Sequence, residues 1–326
     1  MHAPFPALRL RRTRTYAWSR AMVAETRLSP ADLIWPIFVT NGTRERLRTL
    51  PFVERVPLAE VGAVARTAAA AGIPCIALFP HGEPRSEDAL TALSPDNIMC
   101  RAIAEVKAAA PEVGVLADVA LDPYTSHGHD GVLDRRGAVD NDATLDLLVA
   151  QALVQARAGA DILAPSDMMD GRIGRIRAAL EEDGFHERQI MAYAAKYASA
   201  LYGPFREAVG SGGVLKGDKR GYQMDYANAA EALREVALDL AEGADTVMVK
   251  PGLAYLDILA AVRREFRVPT FAYHTSGEAA MIEGAVALGA MDRDAAILEI
   301  LTAFKRAGAA GVLTYHALDA ARLLGA

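Results

Sequence analysis

Glu242-Gly243-Ala244-Asp245-Thr246-Val247-Met248-Val249-Lys250-Pro251-Gly252 is the stretch from which the rest of the chain can be read. The glycine closes a helical run, Asp245 to Val249 reads as a buried strand, and Pro251-Gly252 stops it. The same punctuation recurs at Ala71-Gly72-Ile73-Pro74, Ala158-Gly159-Ala160-Asp161 and Ala307-Gly308-Ala309-Ala310, each time where a helix gives way to an apolar run. Working outward, strands are expected at Leu33–Val39, Ile73–Phe79, Val113–Val119, Ala160–Ala164, Ile190–Ala195, Asp245–Val249, Pro269–Tyr273 and Gly311–Tyr315. Helices are expected near 58–71, 95–110, 143–158, 173–182, 227–242, 254–266, 279–288 and 295–307. Strands that are apolar throughout, alternating with helices, call for a covered parallel sheet, and a count of eight favours a closed (β/α)8 TIM barrel. A doubly wound open sheet is the alternative. Against it, no G-x-G-x-x-G follows the first strand and no phosphate-binding G-x-x-x-x-G-K-[ST] occurs.

Residues 1–30 do not share this rhythm. They carry Arg9, Arg11, Arg12, Arg14, Arg20 and Arg27 with little hydrophobic periodicity, so they read as an extended N-terminal arm on the barrel of residues 31–326, suited to contacts with a neighbouring subunit. The whole chain has 326 residues, 52% of them hydrophobic, and a net charge of -6, which argues against nucleic acid or an anionic membrane as partner. No apolar run is long enough to span a bilayer and no apolar segment follows the N-terminal charges, so a cytoplasmic location is expected. Cys75 and Cys100 lack metal or redox spacing, and no disulfide is expected.

Two of the core strands end on lysine. Lys196 follows the apolar run from Gln189 to Ala195, and Lys250 follows the run that opens this section. In a (β/α)8 barrel these are the ends of strands 5 and 6, on the face where catalytic groups stand, so the two amines become neighbours. Burial and mutual repulsion both disfavour the ammonium form, which leaves a neutral amine able to form a Schiff base with a ketone. The bland alternative is that each side chain snorkels to the surface. Other strand ends offer Asp118 and Asp122, Ser166 and Asp167, His274 to Ser276, and Tyr315 with His316. The loop from Leu121 to Asp142 gathers Asp122, His127, His129, Asp130, Asp134 and Asp140, in keeping with a metal site, a proton-transfer site or a solvated acidic loop. The loop from Tyr202 to Tyr226, with Arg206, Gly210-Ser211-Gly212-Gly213, Lys216, Lys219 and Arg220, reads as a lid bringing cations to an anionic substrate, or as an exposed basic loop.

From about Arg11 to the C-terminus the chain resembles the porphobilinogen synthase (5-aminolevulinate dehydratase) family. The resemblance rests on Tyr124-Thr125-Ser126-His127-Gly128-His129, on Ala164-Pro165-Ser166-Asp167-Met168-Met169-Asp170-Gly171, on Lys196-Tyr197-Ala198-Ser199 with Tyr202-Gly203-Pro204-Phe205-Arg206, and on Val249-Lys250-Pro251. It implies a lyase that condenses two 5-aminolevulinate molecules to porphobilinogen with loss of two waters, early in tetrapyrrole (heme, chlorophyll) biosynthesis. It implies further a (β/α)8 barrel with an arm embracing a neighbour in a homo-octamer or hexamer. By the same resemblance Lys250 binds the first substrate and Lys196 the second, the first carboxylate meets Ser276 and Tyr315, and the second meets Arg206 and Lys219 with Gln223 nearby. Zinc-dependent members carry three cysteines at positions matching Ala120, Asp122 and Asp130, so a thiolate zinc site is not expected here. Asp118, Asp122 and Asp130 are then groups that position ammonium and handle protons. Glu235 matches a position that holds an allosteric Mg²⁺ in many members; no cofactor is expected to be essential, and a Mg²⁺ or monovalent-cation effect stays open. A class I aldolase would share the barrel and one Schiff-base lysine but needs only one covalent substrate. A non-catalytic, nucleic-acid-binding barrel would explain the arginines and leave Lys250 unexplained.

Overall fold

Gly72, Gly159, Gly243 and Gly308 all take positive φ, 68°, 109°, 107° and 108°, so the repeated turn read from the sequence is a repeated left-handed helix stop. After each stop the chain enters the barrel. The computed structural model describes residues 4–211 and 213–325; Met1 to Ala3 of the expected arm, Gly212 of the expected lid and Ala326 lie outside the described residues. The strands are β1 (Leu33–Thr40), β2 (Cys75–His81), β3 (Gly114–Val119), β4 (Ile162–Pro165), β5 (Gln189–Lys196), β6 (Thr246–Lys250), β7 (Thr270–His274) and β8 (Val312–Thr314). Each pairs in parallel with the next, and β8 closes on β1 through Leu33 opposite Val312 and Ile34 opposite Leu313. All eight expected strands are present, and the closed sheet removes the open-sheet alternative.

Because side chains alternate across a strand, the apolar runs feed two separate layers. Ile76 and Leu78 of β2 join the layer between sheet and helices, whereas Ala77 and Phe79 point into the barrel with Phe38, Met191, Met248 and Tyr273. The helices that cover the outside are α1 (Val61–Ala70), α2 (Ile98–Ala109), α3 (Asn141–Ala158), α4 (Arg172–Glu182), α5 (Ala230–Ala241), α6 (Leu256–Phe266), α7 (Ser276–Ala287), α8 (Arg293–Ala307) and α9 (Ala317–Leu323). Eight of them coincide with expected helices. Asp140 is part of this scaffold: its carboxylate caps α3 by accepting from the Ala143 N–H at 3.1 Å.

Two features were not anticipated. Between β1 and α1 the segments Glu45–Arg46 and Glu54–Pro57 pair antiparallel, and the second runs parallel to the end of β1. Its charged, short strands carry no apolar signal. In the arm, a turn at Leu10–Thr13 and a helix at Ala17–Met22 form, held in part by Arg12 and Arg20 donating to arm carbonyls. The arm leaves Phe5, Trp18 and Met22 exposed at 72%, 65% and 76%. Among the described residues no helix is long and apolar enough to cross a membrane.

Candidate active site

On β6 the alternation that sends Met248 into the barrel also sends Lys250 there, at the end of the strand. On β5 the same rule would fail: counting in twos from Met191 and Tyr193 makes Ala195 the inward residue and turns Lys196 out. A register shift rescues it. Ala192 lies opposite Val247 and Ala195 opposite Val249, so β5 holds one residue more than β6 over this stretch, and Lys196 ends up opposite Lys250. Ala194 and Ala195 then both lie in the outer layer, and both lysines are buried at the mouth of the barrel.

Their surroundings differ. The Lys250 ammonium sits among four rings, 4.4 Å from the centroid of Tyr273, 4.8 Å from Phe205, 5.1 Å from Tyr193 and 5.4 Å from Tyr202. Burial in this cage, and next the charge of Lys196, lower its pKa to about 7 against the pull of Asp118, Asp122 and Asp130. Lys196 instead donates to the Ser166 carbonyl at the end of β4. Asp118, inward on β3 beside Ala164, is pushed up to about 6 by burial, with Lys250 and Lys196 opposing. Such an acid holds or releases a proton near neutral pH.

The two long loops meet over these groups. Asp122 and Asp130 converge on Lys219, whose Nζ lies 3.1 Å from Asp122 Oδ2 and 2.9 Å from Asp130 Oδ2. Burial raises the Asp130 pKa, but the charges of Lys219 and Lys196 outweigh it and hold the group below its ordinary value. The backbone fastens the loops together: the Lys216 carbonyl is 2.7 Å from His129 Nε2, and the Tyr222 hydroxyl accepts from the Asp130 N–H at 3.3 Å. Gly128 is obligatory there, since a Cβ would lie 2.9 Å from the Leu215 backbone. Of the acids in the first loop, then, Asp122 and Asp130 belong to the site, whereas Asp134 braces Arg136 at the surface and Asp140 is a helix cap.

The start of the second loop is pinned from below. The Phe205 N–H donates to Ser276 Oγ at 2.9 Å, and Gly277 admits Leu201 so closely that a Cβ would stand 2.5 Å from its carbonyl oxygen. Glu207 accepts from the Arg48 and Thr49 N–H groups of the unanticipated hairpin, and Arg55 donates to the Glu207 and Ala208 carbonyls. Arg85 ties the Val209 carbonyl to those of Asp122 and Thr125.

These walls enclose a cavity of about 30 Å³ lined by Asp118, Asp122, Asp130, Lys196, Lys219 and Lys250, with Arg206 and Gln223 also on its wall. It is about the size of one water. Arg206, Lys219 and Gln223 also face an outer cavity of about 750 Å³, so they form the partition between solvent and the lysines. Of the other expected site residues, Ser276 and Tyr315 stand one layer back: Ser276 holds Phe205, and the Tyr315 hydroxyl is 3.0 Å from that of Tyr273. Glu235, on α5, lies apart and lines a further cavity of about 610 Å³ with Asp170 and Glu231. The four-ring cage and the hairpin clamp were missed in the sequence; Tyr273 was visible only as the last apolar residue of its expected strand.

Two lysines at adjacent strand ends, one of them with its pKa lowered to about 7, a titratable acid beside them and cations on the partition suit imine chemistry on an anionic carbonyl compound. Residues 7–323 match the delta-aminolevulinic acid dehydratase family. The chain belongs to that family. The similarly named dehydratase of Bradyrhizobium diazoefficiens is 55% identical over 98% of this chain and 91% of its own length, and that of Rhodobacter capsulatus 51% over 99% and 98%. The crystal structure of delta-aminolevulinic acid dehydratase (porphobilinogen synthase) from Toxoplasma gondii, in complex with its reaction product porphobilinogen, superposes with a TM-score of 0.94 at 44% identity, over 97% of this chain and 91% of that one. The enzyme is thus a lyase that condenses two 5-aminolevulinate molecules to porphobilinogen, a step of tetrapyrrole biosynthesis, and the aldolase and non-catalytic readings fall away.

Proposed function

We propose that Lys250 and Lys196 each form an imine with one 5-aminolevulinate, and that the side-by-side register of the two strand ends carries this reading. Lys250, with its pKa near 7, is half free amine at neutral pH and attacks the ketone of the first substrate. The carbinolamine loses water as Asp118, titrating near 6, supplies and recovers the proton. Lys196 does the same for the second substrate, oriented by the Ser166 carbonyl. Arg206 has no ion-pair partner among the described residues and is free to take the second carboxylate, with Gln223 beside it. For Ser276 and Tyr315 to meet the first carboxylate, Ser276 gives up the Phe205 N–H and Tyr315 gives up Tyr273. Neither substrate fits the 30 Å³ cavity, so the partition opens first. Borohydride reduction in the presence of 5-aminolevulinate, followed by peptide mapping, is expected to find substrate on Lys250; modification of other lysines only, with turnover intact, removes the reading.

The aspartate-type, zinc-independent assignment belongs to the same proposal. Asp122 and Asp130 are hard oxygen donors already bridged by an ammonium, and the two cysteines are buried elsewhere. Full activity is expected after treatment with a zinc-selective chelator and after thiol alkylation; inactivation that only zinc reverses would show the loop misread. Glu235 fits a hydrated Mg²⁺ better than a caged one: its cavity leaves room for the waters Mg²⁺ retains, and neighbouring Asp239 is committed to Arg172. Any such ion would act as a charge at a distance from the lysines, and activity is expected without added metal. The arm's bare aromatic groups fit a homo-oligomer, octamer or hexamer, in the cytoplasm, where the two thiols stay reduced. Deleting residues 1–28 is expected to lower the assembly mass by native mass spectrometry without unfolding the barrel; an unchanged mass would make the arm a mere tail.

A further inference from the structure

Lys219 has two claims on it. By the family resemblance it meets a substrate carboxylate beside Arg206, yet in the structure it is bound to two others, Asp122 and Asp130, at 3.1 and 2.9 Å. Both aspartates are buried and Lys219 is mostly so, its side chain 12% exposed, and no second cation pairs with either aspartate among the described residues. Lys219 therefore cannot leave alone, because two desolvated carboxylates would be left unpaired. A substrate carboxylate offers it an equivalent partner but offers nothing to the aspartates. The substrate amine does. An ammonium group is chemically the same ligand as Lys219 Nζ, and 5-aminolevulinate carries one at the end opposite its carboxylate.

We propose that Lys219 occupies the substrate's own ammonium seat and that the seat is exchanged on binding: the incoming ammonium takes Asp122 and Asp130, and the released Lys219 takes the incoming carboxylate. The inference rests on the proposed roles of these residues and adds that the two ends of the substrate are read jointly, through one lysine. Lys219 is also part of the partition between the outer and inner cavities, so the same exchange opens the way inward. A ligand with a carboxylate but no amine breaks a buried ion pair without replacing it. One with an amine but no carboxylate strands Lys219. Only the zwitterion leaves every charge paired, so the amine and carboxylate bind cooperatively, and a simple keto acid passes the partition more rarely and without displacing Lys219 for good.

The test uses the full-length enzyme and two keto acids that differ only in the amine, levulinate and 5-aminolevulinate. Each is trapped by borohydride and the adduct's crystal structure determined. Lys219 is expected to remain on Asp122 and Asp130 in the levulinate adduct and to have left them in the 5-aminolevulinate adduct. The same lysine position in both adducts overturns the exchange, and failure to trap either compound on Lys196 or Lys250 instead overturns the Schiff-base reading beneath it. Affinities of 5-aminopentanoate, pentanoate, 5-aminopentanamide and pentanamide, measured by calorimetry, give a second readout independent of imine formation. The two charged ends are expected to reinforce each other at least about tenfold in the wild type, the range typical of linked sites, and to become independent within about twofold in Lys219→Met. Independent ends in the wild type overturn the proposal whether or not the variant folds.

Discussion

Lys250→Met is expected to reduce porphobilinogen formation to background, a loss on the order of 10⁴-fold or more, as when the nucleophile of a covalent mechanism is removed. Methionine fills the space and lies well against aromatic rings, so the cage of Tyr193, Tyr202, Phe205 and Tyr273 stays packed. The wild-type rate should fall as pH drops below about 7, because the attacking lone pair is then occupied by a proton. Stability follows the same equilibrium with its own sign. Between the folded value near 7 and the ordinary lysine value of about 10.4, the unfolded chain binds a proton that the folded chain does not, so wild-type stability rises with pH across that window. Lys250→Met should lack this rise and be the more stable protein at pH 7. Urea denaturation at pH 7 and 9.5 checks both points. Turnover near wild type would remove Lys250 from the chemistry, and a marked loss of stability at pH 7 would mean that the rings hold an ammonium rather than an amine.

Arg172→Ala should be the most destabilising single change, by about 3–5 kcal/mol, the range for breaking a buried ion pair from one side. Arg172 is 2% exposed; Nη1 and Nη2 donate to the two oxygens of Asp239 at 2.9 and 3.0 Å, and Nη1 also reaches the Met169 carbonyl at 3.2 Å. Its Nε lies 3.6 Å from Asp167, so removing it strands two buried carboxylates at once. The damage should reach the chemistry. Arg172 braces a turn in which Met168 holds a left-handed φ of 72°, and the first carbonyl of that turn, on Ser166, holds Lys196. Loss of stability and of activity together are therefore expected from urea melts and a pyrrole assay, with much of the stability returning when Asp239→Leu is added. A loss under about 1 kcal/mol would place the pair with exposed salt bridges.

Much of this molecule could be read from local pattern. A buried parallel strand announces itself by an apolar run between a glycine stop and a proline or charged residue, and that signal repeats often enough to count the barrel. The burial of Lys250 at the barrel mouth was legible for the same reason, since the run before it is a core strand, whereas it takes the four rings around it to exclude the alternative of snorkelling to the surface. What stayed hidden depends on partners distant in the chain. The hairpin at Glu45–Pro57 is built from charged residues whose role, gripping Glu207 and the carbonyls beside it, exists only once the lid has arrived. Ser276 and Tyr315 were assigned to the site, and the structure sets them one layer behind it because Phe205 and Tyr273 fill the space between. The Lys219 bridge involves loops that lie about ninety residues apart, a separation that no window along the chain spans.

The additional residue in β5 gives the second amine an unusual dependence on counting. Ala194 and Ala195 are small, buried and interchangeable in composition, yet together they decide which way Lys196 faces. Loss of either would remove the bulge and leave plain alternation, with Tyr193 in, the remaining alanine out and the lysine still in, whereas loss of both would set the amine opposite Val249 in the helix layer with charge, hydrophobicity and strand propensity almost untouched. Replacement of both by other small residues would leave it in place. The information is carried by parity rather than identity. A chain of this type consequently tolerates a three-nucleotide deletion and is vulnerable to a six-nucleotide one at a position where most substitutions by small residues pass unnoticed, and no comparison of side chains one position at a time would show why.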